Sequence, residues 1–428
     1  MYKNKIFLFA EKIINFPRSL TGKGVEQTLL EIKTVLPGLK IYKYKSNKKV
    51  FDWKIPREWI IDDAYILTPS GKKICSYKKN NLHIVGYSNP VNKTMKLSSL
   101  KKKLYSLPQQ PSAVPYITSY YKNNWGFCIS DNQKKKLKNG NYRVVIKSQL
   151  IQGKMLYGEL LIKGKSKKEI FLTTYICHPQ MANNEVSGIS VLTFLSKWIK
   201  SKKRMFTYRI IFIPETIGSI AYISKNLRKL KKNVVAGFVL TCVGDEKKIS
   251  YIPSRNGNTI CDFVIKSTLK KYNKSYKEYS WLDRGSDERQ FCSPGVDLPV
   301  CSITRSKYGT FPEYHTSLDK LGKVVTSKGL SESLEIYKNC LSTFESEFNS
   351  IFCKPKYKIL CEPNMGKRNL YPKVSTRSSK SKTRVMMNVL SYCDGKKSIF
   401  EISHLCNISI KRVNNEIKKL KKNNLISL

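Results

Sequence analysis

The chain has 428 residues and a mass of 49.3 kDa, with 41% hydrophobic and 11% aromatic side chains. That length exceeds one ordinary core and that apolar content excludes wholesale disorder, so two or three packed domains are expected. Lys and Arg number 79 against 30 Asp and Glu, a formal charge of +49, which suits anionic partners. The lysines nevertheless run evenly along the chain, so the charge reads first as a solvated surface. Twelve cysteines are scattered with no CxxC pair, many inside apolar runs such as Leu240-Thr241-Cys242-Val243. They read as buried, reduced thiols of a cytoplasmic protein. The basic-then-apolar start is broken by Glu11-Lys12 before it reaches signal-peptide length. No stretch approaches the ~18 apolar residues of a membrane helix, so no membrane span is expected.

In chain order, residues 6–14 and 24–35 have apolar positions at helical spacing, separated by the loop Phe16-Pro17-Arg18-Ser19-Leu20-Thr21-Gly22. From about 41 to 145 the texture changes to short aromatic strand candidates, among them 59–66 and 82–87. Strands and helices then alternate: strand 170–176, helix 187–199, strand 208–213, helix 219–230 and strand 234–243. Repeated β-then-α units predict a mixed, mostly parallel sheet flanked by helices, an α/β fold. A helix over 327–348 closes it. Residues 355–384, rich in Lys, Ser, Pro and Arg, read as a linker. The last 45 residues read as three short helices and a hairpin, the second helix capped by Ser398 and the third by Ser409. That spacing is typical of a winged helix.

Only four histidines occur. His178 follows a strand directly, Glu215 lies just past the next strand, and His315 sits in Glu313-Tyr314-His315-Thr316. Ligand sites of open α/β sheets gather at the carboxyl ends of strands. Two His and one Glu form a recurrent ligand set for catalytic zinc. His83 and His404 lack carboxylate neighbours and read as structural.

The order His178, then Asn183-Asn184-Glu185-Val186-Ser187-Gly188, then Pro214-Glu215-Thr216-Ile217-Gly218-Ser219, then Tyr314-His315-Thr316-Ser317-Leu318-Asp319, resembles the two-zinc aminopeptidase clan. That clan includes leucyl aminopeptidases and glutaminyl cyclases. The whole chain is similar to a bacterial aminopeptidase-like family linked to polysaccharide biosynthesis. The marks of that family here are Arg18 to Gly22, Trp125-Gly126-Phe127-Cys128, Ser254-Arg255-Asn256-Gly257, Gly285-Ser286-Asp287-Glu288-Arg289 and 366–372. The resemblance implies a discontinuous α/β domain of 1–47 and 141–354, an inserted β-rich domain at 48–140, the linker 355–384 and a winged helix at 385–428.

Departures from the clan's pattern carry information too. Its bridging Asp falls on Asn184, its Glu pair is reduced to Glu215, its later Asp ligand falls near Thr241, and the Asp supporting its base is Gln180. An amide supplies no charge to hold two cations together. What remains implied is a single zinc ion held by His178, His315 and one or two of Glu185, Glu215 and Asp245, with Glu215 as catalytic base. Arg255, Asp287, Glu288 and Arg289 fall where the clan puts substrate-facing residues.

Two functions follow. One is a zinc-dependent, aminopeptidase-like amide hydrolase acting on a small peptide or amino-sugar amide, tied to polysaccharide biosynthesis. The other is a catalytically silent scaffold of that fold which binds a ligand in glycan assembly. The inserted module, with Trp53, Trp59, Tyr65, Tyr116, Tyr120, Tyr121 and Trp125, is expected to extend the substrate cleft. The winged helix is expected to dock a protein. Its Lys411, Arg412, Lys418, Lys419, Lys421 and Lys422 predict salt-sensitive rather than sequence-specific binding of nucleic acid. Self-association is a further expected partner mode.

Overall fold

The computed structural model describes residues 3–272, 275–359, 361–370 and 377–428. Tyr371 and Pro372, which end one family mark, and 371–376 of the expected linker lie outside the described residues. The chain divides into two compact units, Met1–Cys261 with Leu269–Lys338, and Asp262–Thr268 with Asn339–Leu428.

In the first unit, helices α1 (Lys3–Ile14) and α2 (Lys23–Val35) precede strand β1 (Lys40–Lys45). Strands β2 (Glu58–Leu67), β3 (Lys73–Ile74), β4 (Val91–Lys96) and β5 (Asn141–Ile151) form a separate antiparallel sheet of order β3-β2-β5-β4. A bulge between Ile61 and Asp63 shifts the pairing of β2 with β5. It moves the inward phase from Trp59 to Ala64 and Ile66, so both ends of one strand bury their apolar residues.

The main sheet continues with β6 (Lys154–Ile162), β7 (Glu169–Tyr175), helix α3 (Ser187–Lys200), β8 (Thr207–Ile213), α4 (Ile217–Asn233), β9 (Val234–Val239) and β10 (Ser250–Ile252). After α5 (Ile260–Tyr272) come β11 (Lys277–Glu278), the short α6 (Glu288–Phe291), β12 (Val300–Thr304) and α7 (Ser327–Ser346). Its order is β1-β6-β8-β7-β9-β12-β10-β11. The four central strands, β8, β7, β9 and β12, are parallel, and both flanking pairs next to them are antiparallel. Every residue of β7 and β8 is buried, as strands covered on both faces must be, which explains their unbroken apolar runs. Arg209 in β8 is tolerated because Glu169 accepts from its Nε and Nη2 at 2.6 and 2.9 Å and Glu159 pairs with Nη1.

Two expected strands differ. Residues 82–87 instead hold a 3-10 turn, Asn81–His83, capped by Asn80 and followed by two isolated bridges, Ile84 to Phe127 and Gly86 to Thr118. Their amides leave strand geometry: Val85 donates to Gly126 and Gly86 to Ile117, and Tyr87 has φ +66°. Strand β9 ends at Val239 rather than 243, because Cys242 takes a left-handed φ of +53° and donates its N–H to Asn183. The chain is thereby turned across the carboxyl ends of the strands.

In the second unit, helix α8 (Phe348–Phe352) is followed by β13 (Lys356–Tyr357), α9 (Arg377–Ser391), α10 (Ile399–Leu405), α11 (Ile410–Lys422) and β14 (Ile426–Ser427). Ser398 and Glu401 make a capping box on α10, and Ser409 caps α11. Val389, Leu390, Ile402, Val413, Ile417 and Leu420 build the core. In place of the expected C-terminal hairpin, β14 pairs antiparallel with β13, which lies in the expected linker. Residues 356–358 are therefore part of this unit's fold, and Lys358 also donates its N–H to Leu425. Among the described residues no disulfide forms, and no helix is long and apolar enough to cross a membrane.

Candidate functional site

Tyr175 and Ile213 end β7 and β8 in register, so His178 and Glu215 leave the sheet side by side. His315 arrives from the loop before α7. Four residues around them, Gln180, Thr216, Cys242 and His315, hold non-glycine left-handed conformations. Each such residue costs on the order of 1–3 kcal/mol and persists only where its surroundings fix it. At Gly188, the second residue of α3, an added Cβ would meet the Leu240 carbonyl at 2.4 Å, so only glycine lets this helix start approach the β9 end.

His178 is fixed from behind. Its Nδ1 lies 2.8 Å from Oε2 of Glu185, which also accepts the backbone N–H of Cys177 at 2.9 Å and that of His178 itself. Arg18 holds the other carboxylate oxygen: its Nε donates to Glu185 Oε1 at 2.7 Å and to the His178 carbonyl at 2.9 Å. Both side chains are fully buried. Burial lowers the Arg18 pKa against the pull of Glu185. With Nδ1 committed to Glu185, Nε2 of His178 faces Oε2 of Glu215 at 3.7 Å. Burial works against a charge on His178, but the hydrogen bond and charge of Glu185 outweigh it and raise the pKa.

The His315 ring lies 5.3 Å from that of His178, centroid to centroid. Tyr314 stacks on it at 3.8 Å, and Tyr116 packs edge-on against it. Tyr116 also donates its N–H to the His315 carbonyl at 2.9 Å and sets its own ring 5.2 Å from His178. Burial, and then the charge of His178, push the His315 pKa down to about 3, so it is neutral at physiological pH. Its Nε2 is buried with no partner among the described residues. Such a lone pair suits a cation.

Glu215 receives the Ser286 hydroxyl at 3.1 Å. Burial raises its pKa; His178, Arg289 and Ser286 oppose the rise. Behind it, Asp287 accepts the Thr216 N–H at 2.8 Å and the Ser219 hydroxyl at 2.7 Å. Burial and the nearby Glu215 push Asp287 up to about 8. Arg289 donates to the Thr216 hydroxyl. Glu288 accepts the N–H groups of Gly285 and Ser286 and the Tyr308 hydroxyl, which folds the loop that presents Ser286.

The opposite side is closed by hydrogen bonds among its own groups. Asn184 Oδ1 lies 3.0 Å from the Tyr175 hydroxyl, which is 2.5 Å from Thr241 Oγ1; Thr241 in turn donates to the Asn184 carbonyl at 2.7 Å. The N–H groups of Asn183 and Asn184 are held by Asp319 at 2.8 and 3.0 Å.

The structure thus brings His178, Glu185, Glu215 and His315 together, with Asp287, Glu288 and Arg289 around Glu215. Two expected residues are engaged elsewhere. Asp245 accepts from the Asn183 amide, the Ser306 N–H and the Lys247 N–H. Arg255 pairs with Asp297. The sequence gives no role to Arg18, Tyr175 or Ser286, while Tyr116, expected among the aromatics of the inserted module, packs on both histidines. The ligand-type atoms of Cys177, His178 and Glu185 lie within 4.8 Å of one another. Glu185 there is neutralised by Arg18, and burial raises the Cys177 thiol pKa well above normal, so this trio is a poor cation site.

Residues 7–347 match the profile of DUF4910, described as a domain of unknown function. The chain belongs to the DUF4910 family. Residues 354–428 match a winged helix-turn-helix profile, whose start coincides with the β13 segment. This DUF4910 chain is 40% identical over 410 residues to a Clostridium acetobutylicum protein named for polysaccharide biosynthesis and an aminopeptidase-like domain, covering 96% of this chain and 93% of that one. It superposes on the crystal structure of a 'putative peptidase' from the same organism, with TM-score 0.82, 39% identity and coverage of 100% and 96%. A zinc aminopeptidase from Bacillus subtilis matches with TM-score 0.58 at 14% identity, covering 80% and 94%. The fold is therefore aminopeptidase-like.

For zinc, the metal of the Bacillus subtilis neighbour, one side of the site has donors of the right chemistry, although the ligand atoms of His178, His315 and Glu215 do not all lie within 4.8 Å of one another. Nε2 of His178, the unpartnered Nε2 of His315 and the carboxylate of Glu215 are suitable donors. The Asn184–Tyr175–Thr241 trio offers no charge, and the Asn184 amide nitrogen is a buried donor without an acceptor among the described residues. It fits no second cation.

Proposed function

We propose that the protein is a zinc-dependent, aminopeptidase-like amide hydrolase using one metal ion, with a small peptide or an amino-sugar amide as substrate. The observation that carries this reading is the pairing of a His178 Nε2 directed at Glu215 with a neutral, unpartnered His315 Nε2 beside it. Zinc bound by these residues would supply Lewis acidity to the amide carbonyl and acidify a water molecule. Glu185 acts as an orienting carboxylate rather than a ligand, fixing the His178 ring through Nδ1. Glu215 takes a proton from the attacking water and returns it to the leaving nitrogen as the C–N bond breaks. Its carboxylate is steadied by the Ser286 hydroxyl. Asp287, held largely protonated at neutral pH, spares it a second neighbouring charge. Arg289, exposed beside Thr216, is positioned to pair with a substrate carboxylate. The name of the Clostridium relative supports a link to polysaccharide biosynthesis.

A silent binding scaffold is the second reading, and the closed Asn184–Tyr175–Thr241 side favours it. Hydrolysis of leucine p-nitroanilide and of an N-acetyl amino sugar, by full-length protein with and without zinc, separates the two. Zinc-dependent turnover that falls about 10³-fold in Glu215→Gln supports the hydrolase. Absence of turnover with either amide, with zinc demonstrably bound, supports the scaffold.

A further inference from the structure

Beside the small antiparallel sheet lies a cavity of about 350 Å³ that the hydrolytic reading leaves unused. Lys54, Arg57 and Lys122 line it, and none of the three takes part in an ion pair among the described residues. Unpaired cations converging on one concavity repel one another, and an anion relieves that cost. Asn89 and Asn123, hydrogen-bonded to each other, add amide donors and acceptors. At the rim, Tyr121 donates its hydroxyl to the Lys54 carbonyl at 2.6 Å and tilts against Trp53, ring centroids 6.1 Å apart. Tyr121, Trp53 and the neighbouring Phe51 are 53%, 39% and 55% exposed. Two large aromatic side chains, Tyr121 and Trp53, packed together and open to water mark a contact surface more than a folding device.

The cavity is also joined to the reactive centre. Tyr120 lines it, and the Tyr120 hydroxyl lies 3.2 Å from that of Tyr116. Tyr116 packs on both His178 and His315. One tyrosine pair therefore separates the cavity from the histidines.

We infer that this cavity is a binding subsite for the distal part of a carboxylate-bearing oligosaccharide. The inference rests on the hydrolase reading only in taking that molecule as the substrate. Aromatic faces suit sugar rings, amides suit hydroxyl groups, and the three cations select acidic sugars over neutral ones. An acidic peptide would use the cations but has no need of the aromatic edge.

The test is calorimetric titration of full-length protein at ~150 mM salt, where non-specific attraction to the +49 surface is screened. Tetragalacturonate, cellotetraose and tetraglutamate serve as probes. Tetragalacturonate should bind at least tenfold tighter than either of the others. Arg57→Ala/Lys122→Ala should weaken it at least tenfold, Tyr121→Ala should weaken it several-fold, and Lys101→Ala/Lys102→Ala, elsewhere on the surface, should leave it unchanged. All the substituted side chains are exposed or distant from the cores, so folding is retained. Equal binding of cellotetraose, equal or tighter binding of tetraglutamate, or indifference to the cavity variants would overturn the inference. The readout needs no turnover. Tetragalacturonate bound by a chain without hydrolytic activity defeats the hydrolase reading alone, and an active chain that fails to bind it defeats this inference alone.

Discussion

The two sides of the candidate site differ in one respect that decides its chemistry. Toward Glu215, His178 Nε2 faces the carboxylate at 3.7 Å, and the ring of His315, with its unpartnered Nε2, lies 5.3 Å from that of His178. Toward Asn184, the hydroxyls of Tyr175 and Thr241 are spent on their neighbours, and the one carboxyl nearby, Asp319, is occupied by two backbone N–H groups. Hydroxyl groups already spent on their neighbours and an amide N–H offer a cation no free lone pair, whereas an unpartnered imidazole nitrogen does. The contrast teaches that a fold shared with zinc aminopeptidases is compatible with half of a two-metal site.

The sharpest way to break the comparison is to disturb what sits behind the open side. Arg18→Met leaves Glu185 buried without its cation, and should cost about 3–5 kcal/mol of stability, read from urea unfolding of the full chain. Because Glu185 aims His178, zinc affinity should also fall roughly 10–100-fold in the molecules that remain folded. A loss below about 1 kcal/mol would show that the pair does not hold the open side. Next comes pH. Asp319, whose pKa burial raises to about 7, holds two N–H groups of the closed side. A carboxyl raised in the fold stabilises most below its unfolded pKa near 4, and that contribution is lost as pH rises through about 7. Unfolding midpoints compared with Asp319→Asn should show the wild type losing its relative stability between about pH 4 and 7. A difference that stays constant with pH contradicts this. The smallest effect belongs to Tyr175→Phe, which removes one hydroxyl from the neutral cluster. It should cost about 1 kcal/mol and leave zinc content unchanged. A change in zinc stoichiometry would mean that the closed side takes part in binding.

Much of this was legible in the sequence because single physical causes act there. Parallel strands buried on both faces must be apolar throughout, so Ile170-Phe171-Leu172 and 208–213 announced β7 and β8. Scarce histidines at strand ends drew attention to His178, and the structure sets His315 and Glu215 next to it. What escaped depends on partners far along the chain. Whether Glu185 meets a metal or an imidazole Nδ1 depends on Arg18, 167 residues earlier. A usable signal did exist: the chain has 14 arginines among 79 basic residues, and in so lysine-rich a sequence an Arg persists where a planar fork is required. Arg18 and Arg209 are both such cases. The β13–β14 pair joins segments some 70 residues apart, and no local pattern marks a two-residue strand. The apolar and aromatic content of 82–87 suits a strand, but the Asn80 cap on Leu82 N–H bends its start into a 3-10 turn.

The central claim is that only the open side holds a cation, and metal stoichiometry tests it most directly. Full-length protein loaded with excess zinc and dialysed, then analysed by plasma mass spectrometry, should carry about one zinc per chain, and His178→Ala/His315→Ala should carry less than ~0.3. A value near two, a value near zero in the wild type, or unchanged zinc in the double variant would contradict the account.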